Sequence, residues 1–136
     1  MIDHVLESAF CAALKADDQL DGIHFFSGLD DENHKLPAVT VVSKSESLAG
    51  SAEVFRAELE LRIEHHAKDH TPEEHAAIVG RVRALLGAKA DMLAALNAGG
   101  SVQVCGYAVT SSDEETEGEK FHTTITLKAG YRVPAN

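Results

Sequence analysis

The chain has 136 residues, 44% of them hydrophobic and 25% charged, the balance of one globular domain and not of a disordered segment. With 22 acidic against 12 basic residues the formal charge is −10, which argues against free nucleic acid and against an anionic membrane surface as ligands. No apolar run approaches the roughly 20 residues that cross a bilayer, and Met1-Ile2-Asp3-His4 lacks the basic-then-apolar layout of a signal peptide, so a cytoplasmic folding compartment is expected.

From Ile2 to about Ala16 the spacing of Ile2, Val5, Leu6, Ala9, Phe10, Ala13 and Leu14 predicts an amphipathic helix, with Asp3, Glu7 and Lys15 on the other face. Ile23-His24-Phe25-Phe26 has the composition of a short strand, and Ser27 to His34 that of a polar, turn-rich loop. Residues 22–35 match no pattern that assigns them a role. Pro37 stands where a strand can begin, and Ala38-Val39-Thr40-Val41-Val42-Ser43 is rich in β-branched residues. Ser45 to Ala52, with Gly50 inside it, is expected to be a connection.

Between Val54 and Ala67, Phe55, Ala57, Leu59, Leu61 and Ile63 alternate with Arg56, Glu58, Glu60, Arg62 and Glu64. A period of two without exception predicts a strand with one face on the core and one in water. Its length suggests that it projects past its own domain to meet another subunit. Thr71-Pro72-Glu73-Glu74 is a helix start with the layout of a capping box. Ile78, Val79, Val82, Leu85 and Leu86 form the apolar stripe that follows. Gly87 breaks the pattern, Met92, Leu93 and Leu96 continue it in a shorter helix, and Asn97-Ala98-Gly99-Gly100 stops it.

Two strands close the chain. Val102, Val104, Tyr107 and Val109 belong to the first, whose inward face is ambiguous around Gly106. Phe121, Thr123, Ile125, Leu127, Ala129, Tyr131 and Val133 alternate with polar residues in the second. Ser111 to Glu119 between them is expected to be an acidic hairpin loop, carrying Asp113, Glu114, Glu115, Glu117 and Glu119. The expected fold is one α+β domain over residues 1–136, in α-β-β-α-β-β order. An antiparallel or mixed sheet of four to five strands would carry two main helices on one face.

The residues that carry chemistry elsewhere lack their settings here. His65, His66, His70 and His75 cluster near Asp69, Glu73 and Glu74, yet adjacent strand residues point to opposite faces and no HExxH or paired CxxC fixes a ligand geometry. Ser27-Gly28 and Ser111-Ser112 have no GxSxG strand–turn–helix context. Gly99-Gly100 follows a helix and does not precede one, so it is no phosphate cradle. Cys11 and Cys105 fall inside periodic segments and are expected to be small buried apolar residues, not a disulfide. The expectation is therefore no catalytic residue, no cofactor and no functional metal. The acidic loop lacks the DxDxDG spacing of a calcium site. It is either a solubility device at a hairpin tip or, repeated around a channel, a negative wall that repels phosphate backbones.

The leading helix, the Pro-Ala-Val-Thr-Val-Val strand (37–42), the alternating strand Phe55 to Ile63, the helix with Ile78, Val82, Leu85 and Leu86, and the closing strand Phe-His-Thr-Thr-Ile-Thr-Leu-Lys-Ala-Gly-Tyr-Arg-Val (121–133) together resemble a known family. It is that of the tail terminator and tail-completion proteins of long-tailed bacteriophages, which includes the lambda minor tail protein U. The resemblance covers most of the chain and rests on element order and pattern. It implies a virion protein of the phage tail and neck, assembled in the host bacterial cytoplasm. Such subunits form a hexameric ring that caps the head-proximal end of the tail tube, stops its polymerisation and meets the head connector. The implied partners are further copies of the chain, the tail-tube protein and the head–tail connector, with DNA only as passing cargo and no membrane. Arg56, Glu58, Glu60, Arg62 and Glu64 become candidate subunit contacts, together with the final strand, and Asp113 to Glu119 a candidate lumen- or tube-facing surface. A head-completion protein shares these features. Two other classes are a small cytoplasmic ligand- or peptide-binding module and a metal-assisted hydrolase using the His65–His75 cluster.

Overall fold

The computed structural model describes residues 2–28, 35–48, 54–100 and 102–132. Along the chain run α1 (Ile2–Lys15), a short 3-10 turn (Asp18–Leu20), β1 (His24–Ser27), β2 (Ala38–Leu48), β3 (Phe55–His66), α2 (Pro72–Gly87), α3 (Lys89–Asn97), β4 (Gln103–Glu117) and β5 (Lys120–Arg132). The strands form one sheet in the order β1-β2-β3-β5-β4. β1 lies parallel to β2, whereas the other three pairings are antiparallel, so the sheet is mixed and the fold is α+β.

All three helices contribute to one core on a single face of the sheet. Leu6, Phe10 and Leu14 of α1, Val79, Val82 and Leu86 of α2, and Met92 and Leu96 of α3 are buried there. They join Leu59, Leu61 and Ile63 of β3 and Ile125, Leu127 and Tyr131 of β5 in one cluster. Each such side chain contributes about 1.5–3 kcal/mol by leaving water, so the core-facing half of each alternating pattern supplies most of the attraction between layers. Polar contacts orient the layers. Tyr107 donates its hydroxyl to the Leu86 carbonyl and meets Phe10 edge-on at 6.0 Å. Asn97 brackets Val104, accepting from its N–H at 2.6 Å and donating to its carbonyl at 3.2 Å. Glu7, buried on α1, accepts the Ser43 N–H at 2.6 Å and so ties the first helix to β2. Thr71 and Glu74 close the capping box at the start of α2.

Several expectations change. β3 does not project: it pairs with β5 from Phe55 to His66 and with β2 from Phe55 to Glu64, so both backbone edges are occupied within the chain. A long strand suits two flanking strands that are just as long. β2 continues through Ser45 to Leu48, part of what was expected to be a connection, after a bulge between Ser43 and Ser45; residues 49–53 lie outside the described ones. The acidic segment is not a loop. β4 runs through Glu117 and only Gly118-Glu119 turn the chain, with Gly118 at φ 60° where an L side chain is strained. The ambiguity at Gly106 is settled by a bulge between Val104 and Gly106, which sends both Val104 and Tyr107 into the core. That bulge also leaves Cys105 exposed, contrary to expectation, while Cys11 is half-buried; both are free thiols.

Candidate functional site

On the face of the sheet away from the helices, Ala38, Thr40 and Val42 of β2 are buried, whereas the part over β3, β5 and β4 is open among the described residues, with Arg56, Ala108 and Lys128 exposed. The strand register gathers on it the polar halves of β3 and β5: Arg62 opposite Thr124, Glu60 opposite Thr126, Glu58 opposite Lys128 and Arg56 opposite Gly130. The sequence-predicted contact residues Arg56, Glu58, Glu60, Arg62 and Glu64 therefore do share one surface, as period-two alternation requires. They are not equivalent. Glu60 receives Arg62 at 2.8 Å and Lys44 at 3.1 Å. Burial pushes its carboxyl upward, but the two cations outweigh it and hold the group below the ordinary carboxylate range. Lys44, the residue at the β2 bulge, was not predicted as part of this surface. A bulge places an extra side chain beside the ladder, and no sequence pattern marked one there. Glu64 faces His122 at 3.5 Å and Lys120 at 4.0 Å. Arg56, Glu58 and Lys128 have no ion-pair partner among the described residues.

Those three line a trough of about 570 Å³ whose floor is Gly106, Ala108 and Gly130. Gly106 pairs with Gly130, and Ala108 with Lys128, across β4 and β5, so the bare floor continues from strand to strand. The trough lies toward the opposite end of the β4–β5 ladder from its acidic turn.

At that acidic end Asp113 and Glu114 lie on opposite faces. Asp113 is opposite Thr124 on the open face, and Glu114 is opposite Thr123 on the helix face, where Arg83 of α2 approaches it at 3.8 Å. Glu119 is exposed in the turn, and its carbonyl accepts the Ala67 N–H at 2.7 Å. The side chains of Glu115 and Glu117 lie outside those described. Four of the five predicted acidic residues thus sit on strand β4, an edge strand that pairs with β5 alone among the described residues. Of the segment 22–35, residues 29–34 lie outside the described ones.

The histidine cluster is more organised than its sequence suggested. His65 ends the core-facing series of β3 and is 2% exposed, and His75 on the second turn of α2 is 8% exposed. Their Nδ1 atoms lie 2.7 Å apart, so one ring donates to the other, and His75 Nε2 lies 2.8 Å from the Thr123 hydroxyl on β5. His70 packs edge-on against His65 at 4.8 Å. Burial, then the neighbouring His75 and His70, bring His65 down to about 4. His75 is lowered as well, chiefly by burial. The cluster is therefore a buried hydrogen-bonded chain that staples α2 to the sheet. Two nitrogens ligating one zinc ion stand about 3.4 Å apart, wider than the 2.7 Å seen here. His66 points to the opposite face, as strand alternation demands. Among the described residues no group of three or more His, Cys, Asp or Glu side chains is placed to hold a metal ion, and no helix is long and apolar enough to cross a membrane. No protein-family model matches the chain, and no curated protein matches it.

Proposed function

We propose that this protein is a structural assembly subunit. It closes head to tail into a six-membered ring that terminates a phage tail tube and presents a surface to the head connector. The observation that carries this reading is β4, a 15-residue strand at the edge of the sheet whose second half holds the densest run of carboxylates in the chain. A long uncovered edge is an aggregation hazard unless charge guards it or a partner occupies it. Acidic residues at one end of the hairpin guard against pairing between like edges, while the rest of the strand and the open face remain available to a different surface of a neighbour. Weak interfaces of this kind gain strength when a ring closes. A ring that lines its opening with carboxylates repels phosphate backbones at short range, so DNA passes as cargo and is not bound.

The test is negative-stain electron microscopy of the purified protein, alone and with a tail-tube protein. Rings, or tubes capped at one end, are expected; dispersed monomers in both samples overturn the reading. Rings that bind a head connector but leave tubes uncapped favour a head-completion role instead. The trough beside Arg56 and Lys128 favours a second reading from another class, a ligand- or peptide-binding module, for which a monomer with saturable binding at the trough is expected.

A further inference from the structure

We propose that the trough on the open face is the socket for the acidic end of the β4–β5 hairpin of a second copy of this chain. The inference rests on the ring reading and names the contact that builds the ring.

Two independent features of the trough point to an occupant. The first is its glycine floor. Gly106 and Gly130 lie inside strands, where glycine weakens the ladder. Neither has a positive φ. A side-chain carbon added at Gly106 would meet nothing within 4 Å, and one at Gly130 only the Phe55 carbonyl at 4.0 Å. Gly106 borders the bulge after Val104, a common setting for glycine; at Gly130 neither backbone conformation nor packing among the described residues asks for one. A strand glycine away from a bulge or bend, as at Gly130, is a place where a ligand or another backbone can approach closely. The second feature is charge. Arg56 and Lys128 are exposed and lack ion-pair partners among the described residues, in a chain whose formal charge is −10. Glu58 is half-buried directly opposite Lys128, so the trough keeps a net positive charge within an acidic protein.

The complementary surface is on the same molecule but out of its own reach. The chain carries five carboxylates within residues 113–119, and β5 runs straight from Lys120 beside them to Lys128 in the trough, about 26 Å at about 3.3 Å per residue. A copy cannot fill its own socket. It can fill its neighbour's, and because socket and tip are different surfaces the contact is heterologous and repeats head to tail, the geometry that closes into rings. The narrow, extended end of a hairpin fits a bare strip of sheet better than a helix does, since it needs only the depth that the missing side chains leave. Opposite charges bring the two surfaces together and reject like-charged alternatives.

The experiment uses three full-length proteins: wild type, a socket reversal (Arg56→Glu with Lys128→Glu) and a tip reversal (Asp113→Lys with Glu115→Lys and Glu117→Lys). Association is followed by sedimentation velocity at low salt, alone and on tail tubes. Each reversal alone is expected to weaken association about a hundredfold, since like charges then face each other. An equimolar mixture of the two restores it, because each tip then meets a socket of opposite sign. A fourth protein, Gly106→Thr with Gly130→Thr, fills the floor without changing charge; it keeps or raises its unfolding midpoint and loses association. If wild type forms rings and the socket reversal forms them equally well, the socket is wrong while the ring reading stands. If the mixture stays dissociated while wild type assembles, the socket is again wrong. If wild type associates under no condition, both fall together.

Discussion

Acidification tests the buried histidine chain. His65 sits against His75 and His70 at the end of β3, where its charged form has lost water and gained only the weaker attraction of Glu74. Its pKa in the fold is about 4, against 6.5 for the free side chain. A lowered histidine pKa means that the unfolded chain binds more protons than the folded one between these values. The stability that depends on a neutral His65 is therefore complete above about pH 6.5, falls as pH drops through that window, and is fully lost below about pH 4. The gap corresponds to about 3 kcal/mol at about 1.4 kcal/mol per pH unit, and about 2–3 kcal/mol of it is lost between pH 7.5 and 4.5. His75, lowered in the same direction, adds to the loss. The charged groups around the pair are Glu74 and His70 on the helix side, His122 on β5 and Glu114 on β4. The assay is urea unfolding at pH 7.5 and 4.5 for wild type and His65→Gln, whose amide keeps a hydrogen bond to His75 but does not titrate. The variant is expected to be less stable at pH 7.5 and to lose about 2 kcal/mol less on acidification. Parallel losses in the two proteins would refute the argument that burial of His65 links proton uptake to unfolding.

Thr71→Ala removes the acceptor for the Glu74 N–H and is expected to cost about 1 kcal/mol in urea unfolding at neutral pH. Glu7→Ala leaves the Ser43 N–H without its carboxylate; the expected loss is about 1–3 kcal/mol, with part of it recovered in Glu7→Gln, both read from the denaturant midpoint. A thiol reagent at pH 8 should modify Cys105, which is exposed, and spare Cys11, whose thiol burial and nearby Glu7 push up to about 11. The count of modified thiols then rises from one to two when urea is added, and equal rates in the native protein would contradict the packing of α1 on β1.

Local patterns were enough to place most elements. Period-two alternation across Phe55–Ile63 and Phe121–Tyr131 specifies strands and the face each buries, because side chains on a pleated strand must alternate. Thr71-Pro72-Glu73-Glu74 specifies a helix start, because capping is a contact between neighbours in sequence. Leu6, Phe10 and Leu14 mark the buried side of α1 for the same reason. What lay beyond reach depends on residues far apart in the chain. The bulges at Cys105 and Lys44 exist only in relation to a partner strand. Asp113 to Glu117 form a strand although their composition is that of a loop, because β5 offers a ladder long enough to pair with them, and tertiary pairing overrides weak β propensity. Nothing local says that β1 lies parallel to β2. His65 and His75 were visible as neighbours in a cluster, but their burial and mutual hydrogen bond required α2 to fold back onto the sheet. The trough likewise joins Arg56 on β3 to Gly106 on β4 through β5, which only the strand order β3-β5-β4 brings together. Sequence alone determined most of the helix and strand segments and which of their faces seek the core; the tertiary structure extended β2 and β4 through segments that read as loops and decided which charges are paired and which are left for a neighbour, since pairing depends on strand order and register that local pattern does not encode.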